Sequence, residues 1–526
     1  MRILHAGRMT RTRIAATFGV LALALAAGAL ALWSRPPDGP IVGTLDLSAP
    51  ISTLTLDRSA GLAFALSPSD GRVVVLDART AAQAGALVAP APLGANASFA
   101  LWERIPLEAA DRQAFLTDDP AQHVYALAAG GAPSSAATAL LPGLLRGSAY
   151  LAVDADAHRL FVLADAPPEG LLSAYDARTL RPLWVTPLRS GSAPTSGESS
   201  TGGDGPLVVD ALDARVIAGH LHGSAVSVVD AINGRIIVTL PLGPALPPGG
   251  IAAVPNIAID ARVHRAYASV PDTGAVTTID LQRGRVVRTA PVGVDAATPL
   301  VDARTGRVVV ASLGAVSVLD ARSGALVRTT FSTQTIDHYP VAVDGRSGLI
   351  DVAGFNDRTV DIFDGTSGRF RRGTPVPGVP EAITADDATG RVLVVVGHQS
   401  ASSGGPVASA MALCALDGAT GRLRRVLPLG ASTRARLYLD GPAHRALVLL
   451  DGGPRVPRPD PWGLGPGVAP RAPALRAGAS AIASTDRPRT IRRDRRVGHR
   501  YGGPLAWIIH DGCGGRDRPP GRSPHK

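Results

Sequence analysis

The sequence predicts an all-β fold, a β-propeller of seven or eight four-stranded blades, on three observations. The first is a repeated unit, clearest over 300–329 (LVDARTGRVVVASLGAVSVLDARSGALVRT), where four short apolar runs are separated by turn-forming residues. The second is spacing. An Asp closes the first run of each unit at Asp57, Asp154, Asp210, Asp260, Asp302, Asp344, Asp386 and Asp440. Another closes the third run at Asp77, Asp176, Asp230, Asp280, Asp320, Asp364 and Asp417. Units that recur every ~40–50 residues with four strands each are the pattern of propeller blades. The third is composition: 45% hydrophobic but only 4% aromatic, with 59 Gly and 44 Pro, which suits short strands and many turns.

In chain order, 1–13 is a basic segment with four Arg and no acid. Ile14–Trp33 (IAATFGVLALALAAGALALW) carries no charge and is long enough to cross a bilayer as a helix. Positive charge before it places the N-terminus in the cytoplasm and the rest outside. The competing reading is a cleaved signal peptide, since Ala29-Leu30-Ala31 fits a small-x-small site, but the apolar run is long for one. Either way the body is exported. A stiff polar linker spans 34–40 (SRPPDGP). The propeller is expected over 41–453. Ile41–Leu47 begins it as a lone strand, suited to complete the last blade, which Arg434–Asp440 and Arg445–Leu450 begin. That pairing would lock the ring and remove open edges. A degenerate unit at Asp111–Leu127 is expected to be absorbed or distorted.

Each Asp has a structural role available, because its carboxylate can accept hydrogen bonds from backbone N–H groups two or so residues on. None is therefore a catalytic candidate. Cys414 reads as a small strand residue, and Cys513 lies far away in the tail, so no disulfide framework or cysteine metal site is implied.

At this point the units resemble the YVTN-type β-propeller repeat family. The matching stretches are VSVLDARSGALVRT, VTTIDLQRGRVVRTAPVG, VSVVDAINGRIIVTLPLG and LCALDGATGRLRRVLPLG. The resemblance covers roughly 41–453, although the family's Tyr-Val-Thr-Asn core is replaced by strands such as RVVVASLG and RAYASVPD. It implies an exported propeller, and some relatives resemble lactone hydrolases.

The pattern stops at Gly453. The tail, 454–526, is rich in Arg, Pro and Gly and reads as disordered. It is either a basic binding tail or the product of a reading-frame slip in a GC-rich gene. The tail accounts for the whole +10 net charge, so the rest of the chain balances and nucleic acid is not an expected partner.

Propeller geometry sorts the loops. Links between blades and loops between second and third strands open on one face, and the Asp-containing turns open on the other. The long insertions 189–206, 243–256 and 397–409 all fall on the first, loop-bearing face, where binding usually resides. Its polar residues, His220, His222, Asn256, His338, Asn356 and His398, are the ligand-binding candidates; imidazoles converging there would suit a divalent metal or a general base. Replacing His220 and His222 by Ala is expected to leave folding intact. His158, His264 and His444 each follow an Asp by four residues, inside the turns, and read as structural. No catalytic residue and no resident cofactor is assigned. There is no phosphate loop, nucleophile elbow or zinc-protease helix. The expected function is a membrane-tethered extracytoplasmic module that binds a protein or cell-envelope ligand. The alternatives are a lactonase-like hydrolase, or a metal-binding or redox propeller.

Overall fold

A computed structural model of the chain describes residues 41–46, 51, 53–57, 61–67, 72–78, 80, 82–88, 107–108, 113–118, 123–128, 137–140, 149–164, 166, 170–189, 205–221, 224–242, 254–331, 340–354, 358–397, 409–440, 444–452 and 504–509. Their strands form seven separate four-stranded antiparallel sheets and one sheet of seven strands. The four-stranded sheets are blades 1 to 7, at 53–88, 107–140, 149–187, 207–241, 256–291, 300–331 and 341–375. Within each blade the strands lie in chain order. First strands of successive blades touch one another, as between blades 3, 4, 5 and 6. The second strand, such as Arg265–Val270, is buried on both faces, and the fourth, such as Arg285–Pro291, is mostly exposed. The chain is thus a β-propeller with each first strand innermost.

The core lies between blades rather than within them. Ile217, Val226 and Val228 of blade 4 pack on Ile257, Ala266 and Ala268 of blade 5, and comparable clusters join other neighbouring blades. Third and fourth strands share a register shift at one recurring place. It falls between Val228 and Val229 in blade 4, Val318 and Leu319 in blade 6, and Ile362 and Phe363 in blade 7. Such bulges sharpen the twist that lets blades stack face to face.

The Asp turns form as the carboxylate argument requires. Asp302 Oδ1 accepts from Arg304 N at 2.9 Å and Thr305 N at 3.2 Å, and Asp320 Oδ1 accepts from Ser323 N at 2.9 Å. The residue four after the Asp takes positive φ to close the turn. It is Gly306 (φ 65°) and Gly324 (φ 65°) in blade 6, but His158, Ala214, His264 and His444 elsewhere. These turns also tie neighbouring blades: His264 Nδ1 lies 2.5 Å from Asp213 Oδ2 of blade 4, and Arg262 Nη1 donates to Ala303 O of blade 6 at 2.6 Å. The three turn histidines are structural, as their spacing predicts.

The seven-stranded sheet is two blade-like sets joined by one long strand, Leu423–Asp440. Its first part pairs with Ser409–Asp417 as the outer strand of blade 8, behind Val379–Asp386 and Arg391–Gly397. Its second part pairs with Arg445–Gly452 as the innermost strand of a closing set. Pro504–Ile509 adds to Arg445–Gly452, and Ile41–Asp46 adds outermost. This set abuts blade 1: Leu54 N donates to Tyr438 Oη at 3.3 Å, Arg445 Nη1 donates to Ala78 O at 3.1 Å, and Leu447 and Leu449 pack with Leu54, Ala63 and Leu76.

One expectation changes. The tail 454–526 reads as disordered from its composition, yet Pro504–Ile509 is a strand paired along both edges, because the closing set would otherwise lack its third strand. The unit near Asp111 is distorted, as expected of it, to a two-residue first strand, Leu107–Glu108, within a sheet of its own. Ile41–Asp46 does serve as the expected outer strand. Ile14–Trp33 lies outside the described residues, and among those described no helix is long and apolar enough to cross a membrane.

Candidate functional site

Of the six candidate residues, His220 and Asn256 are described; His222, His338, Asn356 and His398 lie outside the described residues. Both described residues are buried rather than displayed on the loop-bearing face. His220 follows strand Arg215–Gly219, and its backbone N–H donates to Ala225 O at 2.9 Å, which turns the side chain inward. There Nε2 lies 2.8 Å from Ser227 Oγ, itself 2.8 Å from Thr239 Oγ1. The same hydroxyl pair recurs as Thr277–Thr289 in blade 5 and Ser317–Thr329 in blade 6. His220 therefore caps a structural hydroxyl pair of blade 4. Asn256 opens the innermost strand of blade 5, directly after Pro255, whose ring covers Gly219.

The burial of His220 reverses the expectation that its loss leaves folding intact. His220→Ala is expected to destabilise the protein by about 2 kcal/mol, since it opens a cavity and strips Ser227 of a partner. Chemical denaturation would show this as a lower midpoint; an unchanged midpoint would mean the imidazole is not packed as described.

What the loop-bearing face does present is a small rigid ledge where blade 5 passes into blade 6. Val292 N and Gly293 N both donate to Gly274 O, Asp295 N donates to Pro271 O at 3.1 Å, and Ala297 N donates to Ala311 O at 2.8 Å. Gly293 (φ 109°) is needed there because a Cβ would meet Ser312 Oγ at 2.5 Å. Asp295 is itself held at φ 55°. The fold of this link pushes Val294 outward beside Leu313, whose N–H donates to Val294 O at 2.9 Å. Val294 is 57% exposed and Leu313 43%, an apolar pair held in place by backbone hydrogen bonds. The link is short, so loop length gave no signal for it; the Gly-Val-Asp sequence at 293–295 was the available cue.

Charged side chains elsewhere are mostly committed to structure. Hydrogen bonds from Arg371 and Ser367 hold Asp364 down to about 2. Burial opposes the same effect at Asp417, but the Thr420 hydroxyl and Arg424 still bring it to about 2. Burial pushes the Cys414 thiol up to about 12, so it is an inert packing residue, in keeping with its reading from sequence. Among the described residues no three His, Cys, Asp or Glu side chains are grouped as a metal ion would require.

One polar residue has no counterpart in the repeat. Seven residues after the first-strand Asp, at the third position of the second strand, stand Phe64, Phe161, Ile217, Tyr267, Val309, Leu393 and Leu447, hydrophobic residues that are all buried. In blade 7 this place holds Asp351, fully buried, with Oδ2 unpartnered. Burial, with the Asp344 carboxylate adding to it, raises its pKa to about 8, against the pull of Arg372.

These features define a β-propeller protein. The chain matches no protein-family profile and no curated protein by sequence, so the YVTN-type resemblance rests on the quoted strands alone. Several solved structures are partly similar. BamB from Moraxella catarrhalis is 16% identical, with a TM-score of 0.47 over 67% of this chain and 96% of that one. The dihydro-heme d1 dehydrogenase NirN is 15% identical, with a TM-score of 0.47 over 78% of this chain and 84% of that one. The Cps50 (Swd1) β-propeller domain from Myceliophteria thermophila is 11% identical, with a TM-score of 0.36 over 67% of this chain and 95% of that one. At such identities and scores the likeness bears on neither ligand nor activity.

Proposed function

We propose that the protein is a membrane-tethered, extracytoplasmic propeller that binds a protein or cell-envelope ligand on its loop-bearing face. The observation that carries this reading is the asymmetry of the two faces. The longest segments between described strands leave from the loop-bearing ends, whereas the other ends are joined mostly by short Asp turns spent on holding blades together. A rigid scaffold with variable segments on one side is the usual arrangement for recognition. The exposed Val294–Leu313 pair gives that face an apolar anchor. The tether is Ile14–Trp33, on the strength of its length and lack of charge.

Photo-crosslinking in intact envelopes tests the face. Benzoylphenylalanine at Val294 or Leu313 is expected to give a discrete protein or envelope-polymer adduct. The same probe at exposed Leu212 or Ile232, on the turn face, is expected to give none. Adducts only from the turn-face positions would overturn the proposal.

A further inference from the structure

The outermost strands divide the rim into two unlike halves. In blades 1 to 4 they are Gln83–Val88 (QAGALV), Ala137–Leu140 (ATAL), Pro182–Pro187 (PLWVTP) and Ile236–Pro241 (IIVTLP), with no charge inside the strands and exposed Arg181 and Arg235 just before the last two. In blades 5 to 8 they are Arg285–Pro291 (RVVRTAP), Leu326–Phe331 (LVRTTF), Phe370–Pro375 (FRRGTP) and 423–432 (LRRVLPLGAS), which hold seven Arg and no Asp or Glu. Large apolar side chains stand exposed among these arginines, foremost Phe331 (80%) and Phe370 (52%). The two strands that carry them belong to adjoining blades: Arg328 Nε donates to Ser367 O at 3.2 Å and Thr330 Oγ1 to Gly368 O at 2.6 Å. Arg371 and Arg424 pair with Asp364 and Asp417, but Arg285, Arg288 and Arg425 make no ion pair among the described residues.

The place where the chain enters the ring matters equally. Ile41–Asp46 is the outermost strand of the closing set, so the chain enters the ring at its outer edge. The closing set is continuous with blade 8 through Leu423–Asp440. Seven linker residues, 34–40, reach at most ~25 Å when extended. A bilayer holding Ile14–Trp33 would therefore lie near the rim where blade 8, of the arginine-bearing half, and blade 1, of the uncharged half, flank the closing set.

We infer that the rim of blades 5 to 8 is an interface for an anionic lipid bilayer, with Arg285, Arg288 and Arg425 on headgroup phosphates and Phe331 and Phe370 in the acyl boundary. Arginine with exposed aromatic and aliphatic side chains is the combination that interfacial binding uses, since charge attracts the surface and apolar area inserts. A soluble polyanion would account for the arginines but not for the exposed phenylalanines. The inference deepens the proposed function and rests on its tether. Docked by the rim, the propeller would stand on edge and leave its loop-bearing face open to a ligand.

The test uses the full chain reconstituted into vesicles of phosphatidylcholine, alone or mixed with phosphatidylglycerol. Benzoylphenylalanine replaces Phe331, Phe370 or, as a control on the uncharged half, Val185. Lipid adducts at Phe331 and Phe370 are expected to rise at least about fivefold with phosphatidylglycerol. Val185 is expected to show no rise. The rise is expected to vanish in the triple variant Arg288→Glu, Arg328→Glu, Arg425→Glu, with circular dichroism confirming that it is folded. Equal adducts at Phe331 and Val185 in both vesicles would overturn the inference. So would capture by a soluble polyanion such as dextran sulfate with no lipid adducts. Carbonate extraction from pure phosphatidylcholine vesicles scores the tether separately: a chain that washes off loses the tether reading, while adducts at Phe331 still score the rim.

Discussion

Replacing Asp351 by valine is expected to stabilise the propeller by on the order of 3 kcal/mol at pH 8 and to flatten its stability between about pH 4 and pH 8. The side chain lies in the seam between blades 7 and 8, which is otherwise built from Ile362, Val392, Val394 and Cys414. Charged or polar groups facing it are Asp344 from the innermost strand and Arg372 from the outermost. In the unfolded chain this carboxyl titrates near ~3.9; in the folded chain it does so at about 8. Between those values the native state holds a proton that the unfolded state has released. Stability therefore falls as pH rises from ~4 to ~8 and levels off above, opposite to the acid loss expected for Asp364 and Asp417, whose values are depressed. Valine occupies the same place in blade 6, as Val309, so the seam can accept it. Denaturant unfolding of both proteins at pH 5 and pH 8 decides the matter. If the valine variant were no more stable at pH 8 than the native chain, Asp351 would be solvated or paired, and the buried carboxyl as described would be wrong.

Ending the chain at Gly453 is expected to cost at least about 3 kcal/mol and to free Ile41–Asp46 for proteolysis. That truncation removes Pro504–Ile509, the strand between Arg445–Gly452 and Ile41–Asp46, so two ladders are lost at once. It also strips support from the set whose Tyr438 and Arg445 hold blade 1. A ring that cannot close exposes an inter-blade seam and two strand edges. Comparing the melting temperatures of the full and truncated chains reads this out. An unchanged temperature would show that the strand adds nothing and would restore the reading of the tail as disordered.

Much of this was legible in local sequence. The Asp-to-αL turns, the four-strand unit, the structural place of His264 and Cys414, and the outer-strand role of Ile41–Asp46 all follow from short-range patterns. Candidate functional residues were less so. His220 looks like a loop residue because it follows a strand end, yet the N–H···O bond to Ala225 folds it inward onto Ser227 and Thr239. The Val294–Leu313 ledge joins residues from a link and a hairpin turn whose proximity depends on how blades 5 and 6 meet. Pro504–Ile509 was hidden because ~50 residues of unpatterned chain separate it from Arg445–Gly452 and the whole ring from Ile41–Asp46, and register over such distances carries no local signature.

A single blade is specified locally: its strands, its turns and the repeat that forces blades to stack come from side-chain alternation and turn chemistry within a few residues of chain. Other features emerge from the assembled ring alone. They are the way the ring closes, the burial of a carboxyl in the seam beside blade 7, and the gathering of the arginines of blades 5 to 8 on one side of the rim. Each depends on which strands become neighbours, and that is set by packing between blades, where residues far apart in the chain share one desolvated surface.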